Sequence, residues 1–321
     1  MYHLGVDFGG THIAAGIVDD NGKLLIKRST KTKRQRPIDE IMADLLALCD
    51  DVAKRTNIKI KDITTIGLGI PANIHPDGKR VVYGNNIKGL DNVNIEKIVK
   101  KHYPHMKVFL ENDANAAALA EFICGAAKGC KNVVMVTLGT GVGGGIIIDG
   151  KIYSGTNFAG GEIGHIVIDR NGEKCNCGRR GCWEQYASVT ALSRQTADMI
   201  DLYPDSKIYD LIDGKKIKIS GRTAFEAMEM GDECGRKIVE QWIEYISIGV
   251  VDMINILQPD MVVIGGGISR EGDKIISPVR EYVKKNVYAG EVDTIPQTKI
   301  VAATMGNDAG IVGAALLYRD R

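Results

Sequence analysis

The sequence predicts a mixed α/β protein of two lobes, and three observations lead to this prediction. A strand, a Gly/Thr-rich turn and a hairpin occur in that order twice, once at the N-terminus and once in the middle of the chain. Helix-like stretches alternate with strand-like runs around both repeats. The chain has 321 residues, enough for two domains with cores of ordinary size. Hairpins followed by alternating strands and helices predict a mixed sheet in each half.

The first repeat begins at the start of the chain. Residues 2–6 have the pattern of a strand and lead into DFGGT at residues 7–11. An apolar run at 13–18 is followed by the turn sequence DDNG at 19–22 and by a third strand from Lys23. Asn-Gly between strand-like runs is a strong hairpin signal, so this segment predicts a strand, a turn and an antiparallel hairpin.

The second repeat has the same order of elements. Residues 132–137 are strand-like and lead into LGTGVGGG at 138–145. The apolar run at 146–148, Asp149-Gly150 and residues 151–153 predict another hairpin. The repetition indicates a duplicated lobe.

Between and after the repeats, the spacing of apolar residues predicts further elements. We expect helices at 38–56, 113–125, 236–257 and 309–318, and strands at 107–110, 261–264 and 299–302. The boundary between the lobes is predicted near residues 115–125.

Composition excludes several classes of protein. Apolar residues make up 44% of the chain and charged residues 25%, as in a soluble globular protein. The net charge of +1 gives no general attraction to nucleic acid or to a membrane, and no apolar run approaches the ~20 residues of a membrane span. The chain begins without a secretory signal pattern, and its seven cysteines do not resemble a disulfide framework. These features predict a cytoplasmic protein.

The two Gly/Thr turns are candidate phosphate sites. Glycine lets backbone N–H groups approach an anion closely, and threonine adds a hydroxyl donor. Tight hairpins also need glycine, but the paired turns favour two lobes that grip one polyphosphate. Asp7 is placed to hold Mg²⁺, and a third glycine cluster after the strand at 261–264 leaves room for adenine. The predicted nucleotide residues are Asp7, Gly9, Gly10, Thr11, Gly139, Thr140, Gly141, Gly265, Gly266 and Gly267.

The sequence contains no Walker A motif, and the glycine run at 141–145 does not open a helix as a Rossmann fingerprint must. Phosphate held by hairpin turns is instead the arrangement of the actin-like ATPase fold, a duplicated ribonuclease H-like fold.

Asp113 is the candidate general base. Glu111-Asn112-Asp113 lies where a strand ends and an Ala-rich helix begins, and both Asn and Asp favour the N-cap of a helix. A carboxylate at the carboxyl end of a strand is also where catalytic groups occur in α/β sheets. The two roles are compatible, because Asn112 can cap the helix while Asp113 accepts a proton.

One imidazole and three thiols have the spacing of a metal site, His165-x9-Cys175-x-Cys177-x4-Cys182. Three thiolates and an imidazole favour tetrahedral zinc in a closed, structural site. A redox role is the alternative, although Cys-x-Cys is not the thioredoxin-like Cys-x-x-Cys. Glu162 and Glu184 flank these ligands, and they are either ordinary surface acids or carboxylates held for the vicinal hydroxyls of a sugar.

Together these motifs resemble the ROK family (repressors, open reading frames and sugar kinases) over essentially the whole chain. The matching segments are DFGGT at 7–11, END at 111–113, LGTGVGGG at 138–145, GEIGH at 161–165 and CNCGRRGCWE at 175–184. Within the family, the chain is most similar to the bacterial ATP-dependent glucokinases.

The resemblance implies a two-lobed actin-like ATPase fold with a cleft between the lobes. It implies a small lobe at residues 1–118, joined by the C-terminal helix at 306–321, and a large lobe at 119–305 with the zinc-binding loop. It also implies a homodimer or homotetramer, and ATP, Mg²⁺ and structural Zn²⁺ as cofactors. Asp113 would be the base on the sugar 6-hydroxyl. The implied zinc ligands are His165, Cys175, Cys177 and Cys182. The implied sugar contacts are Asn86 (or Asn85), Asn112, Asp113, Glu162, His165 and Glu184.

The expected activity is ATP-dependent transfer of phosphate to the 6-hydroxyl of a hexose, with glucose favoured and a role in glycolysis. Mannose, allose, fructose or N-acetylmannosamine are alternative substrates, and polyphosphate is an alternative donor. A sugar-sensing repressor is the alternative from another class. It is disfavoured because the first phosphate turn begins at Asp7, which leaves no space ahead of it for a DNA-binding module.

Overall fold

A computed structural model describes residues 1–84 and 87–320. Asn86, the predicted sugar contact, and its alternative Asn85 lie outside the described residues. The chain divides into two compact units. The first consists of Met1–Met135, Gly145–Gly161 and Ala303–Arg321, and the second of Val136–Gly144 and Glu162–Ala302.

The first sheet has five strands and begins with the predicted hairpin. Its order is β3-β2-β1-β4-β7, with β1 antiparallel to β2 and parallel to β4, and β4 parallel to β7. The strands are β1 (Tyr2–Phe8), β2 (His12–Asp19), β3 (Leu24–Lys31), β4 (Thr65–Ile70) and β7 (Lys107–Asn112), and a separate short hairpin is formed by β5 (Asn73–Ile74) and β6 (Val81–Tyr83).

Strand β4 was not among the elements predicted from the sequence, yet it lies between β1 and β7. All six of its residues are buried, so it reads as a continuous run rather than an alternating one. It brings the carboxyl ends of β1 and β7 to the same edge of the sheet.

The second sheet also has five strands, in the order β10-β9-β8-β11-β12. The turn between β9 and β10 has Asp149 and Gly150 at φ of 50° and 78°, the left-handed conformation that an Asp-Gly hairpin turn requires. The strands are β8 (Val133–Leu138), β9 (Val142–Ile148), β10 (Lys151–Ile152), β11 (Met261–Gly265) and β12 (Lys299–Ala302).

The glycine-rich segment at 138–145 is only partly a turn. Residues 139–141 turn the chain, whereas residues 142–145 belong to β9. Gly145 is needed for packing, because a Cβ there would lie 2.5 Å from the Cβ of Ala118 and 2.6 Å from the carbonyl oxygen of Ala114. The run of glycines therefore serves two purposes, a turn and a close approach between a strand and a helix.

Helices connect the strands. They are α1 (Ile38–Lys54), α2 (Ile95–His102), α3 (Asp113–Cys124), α4 (Glu184–Ala187), α5 (Val189–Met199), α6 (Ile208–Leu211), α7 (Thr223–Glu229), α8 (Glu233–Leu257), α9 (Asp273–Asn286) and α10 (Ala309–Leu316). In the first unit α10 packs against α3 and β1, which brings the last helix beside the first strand. Within the described residues, no helix combines the length and apolar character of a membrane span.

Candidate active site

Two carboxylates lie at one edge of the first sheet. Asp7 is near the end of β1, and Asp113 directly follows β7. In the strand register, Asp7 pairs with Gly69 of β4, and Gly69 pairs with Glu111 of β7. The middle position of this row is thus a glycine. A Cβ there would lie 3.5 Å from the Cα of Asp113 and 3.2 Å from the Cβ of Ala116, so the glycine lets α3 approach the sheet.

The Asp7 carboxyl is half-buried and has a raised pKa. Burial, chiefly, and the negative charge of Asp113 raise the pKa of Asp7 to about 6 from an ordinary value of 3.8. A Cβ at Gly310, in the first turn of α10, would lie 2.8 Å from Asp7 Oδ2. A bound cation would lower the energy of ionising this acid, which fits the predicted Mg²⁺ ligand.

Asn112 and Asp113 lie at the start of α3. The side chain of Asn112 caps the helix, with its Oδ1 accepting from the N–H of Ala114 at 2.9 Å and from that of Asn115 at 3.3 Å. Asp113 is half-buried, and its Oδ1 also accepts from the N–H of Ala114, at 2.9 Å. The Asn112 side chain therefore supplies the cap, and Asp113, the candidate base, lies in the first turn of α3.

The first Gly/Thr turn, which we call turn 1 (residues 9–11), is held by a buried threonine. The hydroxyl of Thr32 donates to the carbonyl oxygen of Gly9 at 2.6 Å, and its N–H donates to that of Thr11 at 2.9 Å. Thr11 itself is exposed, and Gly9 and Gly10 are half-buried. Thr32, which directly follows β3, therefore fixes the backbone conformation of turn 1, and the exposed Thr11 lies on that backbone.

The second Gly/Thr turn, turn 2 (residues 139–141), is held by the start of α5. The N–H of Val189 donates to the carbonyl oxygen of Gly139 at 2.9 Å, and the hydroxyl of Thr190 donates to that of Thr140 at 2.8 Å. The N–H of Gly139 donates to the carbonyl oxygen of Gly141 at 3.0 Å, which closes the turn on itself.

Glu184 contacts turn 2 directly. Its Oε2 accepts from the N–H of Val142 at 3.2 Å, and a Cβ at Gly141 would overlap the same oxygen. Glu184 is only half-buried, so its carboxylate is still accessible. One predicted sugar contact is therefore hydrogen-bonded to one predicted phosphate turn, within the second unit.

The segment that carries Glu162 and His165 packs against the same place. A Cβ at Gly164 would overlap the carbonyl oxygen of Val142, so the glycine permits this close approach. Glu162 is exposed at the start of a 3-10 turn, and its carbonyl oxygen accepts from the N–H of His165 at 3.0 Å. The backbone of this segment at Gly164 and the carboxylate of Glu184 therefore both lie against Val142, the first residue of β9.

The third glycine cluster adjoins turn 2. Gly265 ends β11, Gly266 has φ of 93°, and Gly267 begins a 3-10 turn. A Cβ at Gly266 would overlap the carbonyl oxygen of Leu138, the residue just before turn 2. Two of the predicted nucleotide segments therefore lie side by side in the second unit.

The predicted metal ligands form one cluster. A ligand atom from each of four residues lies within 4.8 Å of the others, and the residues are His165, Cys175, Cys177 and Cys182. His165 Nδ1 lies 3.6 Å from Cys175 Sγ, and the sulfur atoms of Cys177 and Cys182 are 3.5 Å apart. Cys175 and Cys177 lie in a short hairpin closed by Lys174 and Arg180, whose turn has Gly178 at φ of 92°.

The donor set fits zinc. Soft thiolates with one imidazole are the ligands that structural zinc sites use. The pKa of Cys177 is lowered to about 7, chiefly because the backbone N–H of Arg179 donates to its sulfur. Burial, chiefly, raises the pKa of Cys182 to about 12. A cation at the cluster would offset that cost, since a coordinated thiol loses its proton.

Thr32, which holds turn 1, and Gly310, which lies beside Asp7, shape the site from outside the predicted motifs. Trp183 belongs to the motif at 175–184 and lies at the start of α4. The indole N–H of Trp183 donates to the carbonyl oxygen of Tyr245 at 2.7 Å, and its ring lies so close to Gly249 that a Cβ there would overlap it. An isolated glycine inside a long apolar helix pattern was the available signal for the last contact.

The family profile of the ROK family matches residues 3–321 of the chain. The chain therefore belongs to the ROK family, which confirms the family predicted from the motifs. It has the actin-like ATPase fold of the solved ROK glucokinase structures, as the sequence predicted.

Known relatives include both enzymes and regulators. A glucokinase of Thermotoga maritima is 34% identical over 318 residues, which cover 99% of this chain and 97% of the relative. The crystal structure of a ROK family glucokinase from Streptomyces griseus in complex with glucose and AMPPNP is similar with a TM-score of 0.86 at 32% identity, covering 100% of both chains. A xylose repressor of Bacillus subtilis is more distant, at 28% identity over 99% of this chain and 77% of the repressor.

Proposed function

We propose that the protein is an ATP-dependent hexose kinase that phosphorylates the 6-hydroxyl, with glucose as its main substrate. The observation that carries this proposal is a pair of acids at one edge of the first sheet: Asp7 lies in the strand row with Gly69 and Glu111, and Asp113 directly follows the end of β7. The pair offers a cation ligand and a base. The glucokinase relatives at 34% and 32% identity support glucose and a nucleotide donor, since AMPPNP is an analogue of ATP.

In this proposal Asp113 accepts the proton of the sugar 6-hydroxyl. The hydroxyl oxygen attacks the γ-phosphorus, the bond from that phosphorus to the β-phosphate oxygen breaks, and ADP leaves. When bound, Mg²⁺ neutralises phosphate charge, and Asp7 is the residue that would hold it. Phosphoryl transfer needs little covalent help from protein, so positioning and charge stabilisation supply the rate.

The proposed nucleotide contacts are the two turns and the third glycine cluster. The proposed sugar contacts are Asn112, Asp113, Glu162, His165 and Glu184, together with Asn86. Carboxylates accept hydrogen bonds from vicinal hydroxyls, and the exposed Glu162 and half-buried Glu184 have the accessibility that such contacts need. The lobe boundary at 118/119 and the homodimer or homotetramer stay predictions, and light scattering tests the second.

A coupled assay of ADP release across a panel of hexoses, with ATP and with polyphosphate, tests the activity. We expect the highest kcat/KM with glucose and ATP. High activity on another hexose alone would replace glucose as the substrate, and activity with polyphosphate alone would replace the donor. Absence of phosphorylation of every sugar would contradict the proposal.

We also propose that the Cys/His cluster binds structural zinc and holds the sugar-binding segments in place. His165 belongs to the cluster, and Glu162 and Glu184 lie close to its ligands in the chain. Removing zinc with a chelator is expected to lower the thermal midpoint of unfolding and to weaken glucose binding first. Metal analysis and glucose titration measure both effects. Zinc-free protein with unchanged stability and glucose affinity would contradict this role.

A further inference from the structure

A bridge of two side chains leads from α5 to one sulfur of the cluster. The amide Nε2 of Gln185 lies 3.7 Å from Cys175 Sγ, within hydrogen-bond distance for sulfur. The guanidinium of Arg194 contacts Gln185 twice, with Nη1 3.5 Å from Oε1 and Nη2 2.6 Å from the backbone oxygen. Gln185 and Arg194 are both half-buried, and neither belongs to the predicted ligands.

The chemistry of arginine determines which way this amide faces. A guanidinium has only donors, so the group that Gln185 turns to Arg194 must be its carbonyl oxygen. The NH₂ group of the same amide then faces the sulfur of Cys175 and donates to it. Polarisation by the positive charge of Arg194 strengthens that donor. A donor held at this position also fixes how the sulfur is presented to a metal, as hydrogen bonds to metal ligands generally do.

We propose that Gln185 and Arg194 are positioning residues of the metal cluster, which orient the Cys175 sulfur for zinc. This inference rests on the proposed zinc site. Groups that hydrogen-bond to metal ligands typically change metal affinity about 10- to 100-fold when they are removed. Because Gln185 directly follows Glu184 in α4, the bridge also ties the proposed sugar carboxylate to the metal cluster.

A purely structural role for Arg194 is the competing explanation, because its contact with the backbone of Gln185 anchors α5 to α4. The neighbouring Gln195 provides a matched control. It lies on the same helix, and its Nε2 donates to the backbone oxygen of Tyr186 in α4 at 3.0 Å. Among the described residues, its amide is assigned no hydrogen bond to a cluster sulfur. Gln195→Met therefore removes an α5–α4 anchor without touching the sulfur.

The experiment compares Gln185→Glu, Arg194→Met and Gln195→Met in the full-length protein. Gln185→Glu preserves shape and attraction to Arg194, but it turns an acceptor toward the thiolate. Zinc affinity is measured by competition with a chromogenic chelator. The same proteins loaded with Co²⁺ report the thiolate environment through the sulfur-to-cobalt charge-transfer band. Circular dichroism and thermal unfolding report folding separately.

We expect Gln185→Glu and Arg194→Met to weaken zinc binding about 10- to 100-fold and to move the cobalt band to longer wavelength. Gln195→Met should lower stability while zinc affinity and the band stay as in the wild type. Wild-type affinity and band in Gln185→Glu, or equal shifts in all three variants, would overturn the proposal.

The outcome is distinguishable from failure of the proposed function. A wild-type protein that binds no zinc but phosphorylates glucose would overturn the bridge and leave the kinase proposal intact. A protein that binds zinc with the expected variant effects but phosphorylates no sugar would overturn the kinase proposal and leave the bridge intact.

Discussion

Turn 1 and turn 2 come from the same strand–turn–hairpin repeat, but different parts of the chain hold them. Turn 1 is held by the hydroxyl of Thr32, at the end of the adjoining hairpin. Turn 2 is held by Val189 and Thr190 at the start of α5, and by the carboxylate of Glu184 on the next N–H. A local contact thus secures one turn, and a helix far along the chain secures the other.

The glycines in the two turns are also packed against different neighbours. A Cβ at Gly9 would lie 2.9 Å from the carbonyl oxygen of His12, within the same hairpin. A Cβ at Gly141 would overlap Glu184, which belongs to α4. The comparison shows that two copies of one repeat can diverge: turn 1 follows the acid Asp7, whereas turn 2 adjoins Glu184, a proposed sugar contact.

The largest expected effect is the loss of turnover when Asp113 is replaced. Asp113→Asn keeps the shape of the side chain but removes the base, so kcat should fall about 10³- to 10⁴-fold. Glucose binding should stay measurable by titration calorimetry, because the amide can still hydrogen-bond to a hydroxyl. A turnover number near the wild type would exclude Asp113 as the base.

The second effect is the pH dependence that Asp7 confers. Its pKa in the folded protein is raised to about 6 from 3.8, so the folded state binds more protons than the unfolded chain between these values. In protein free of nucleotide and divalent cation, the free energy of unfolding should therefore fall by about 2 kcal/mol as pH rises from about 4 to about 6.

Urea denaturation of wild type and Asp7→Asn across this pH range measures the effect as a difference, which cancels the titration of other acids. In Asp7→Asn, the free energy of unfolding should lack this contribution to its fall with pH. Asp113→Asn should reduce it only in part, because burial is the larger cause of the shift and the Asp113 charge the smaller. Parallel pH profiles in wild type and Asp7→Asn would mean that Asp7 ionises normally.

The smallest effect tests the link between turn 2 and Glu184. Gly141→Ala should displace the carboxylate and weaken glucose binding about 10-fold, which is about 1.4 kcal/mol. Gly139→Ala is the matched control, because a Cβ there meets no atom within 4 Å. Equilibrium glucose titration without nucleotide should distinguish the two variants. Equal glucose affinity in both would show that Glu184 does not depend on the turn.

Much of the site could be predicted because its signals are local in sequence. The hairpin at Asp149-Gly150, the helix that starts at Asp113 and the clustering of His165 with the three cysteines all follow from short spacings, and the structure has them as predicted. Strand β4 was missed because it is buried throughout and has no alternating pattern. Because β4 was missed, the sequence did not show that Gly69 lies between Asp7 and Glu111 in the sheet.

The sequence by itself therefore determined the family, the two Gly/Thr turns and the clustering of His165 with three cysteines, since each depends on residue types at short, regular spacings. Only the tertiary structure decided which distant groups support them. Thr32 on turn 1, Gly310 beside Asp7 and the bridge from Arg194 through Gln185 to Cys175 depend on the order of strands and on how helices pack. Long-range pairings of this kind leave no periodic signal in a single chain, because their geometry exists only once the sheets and helices have assembled.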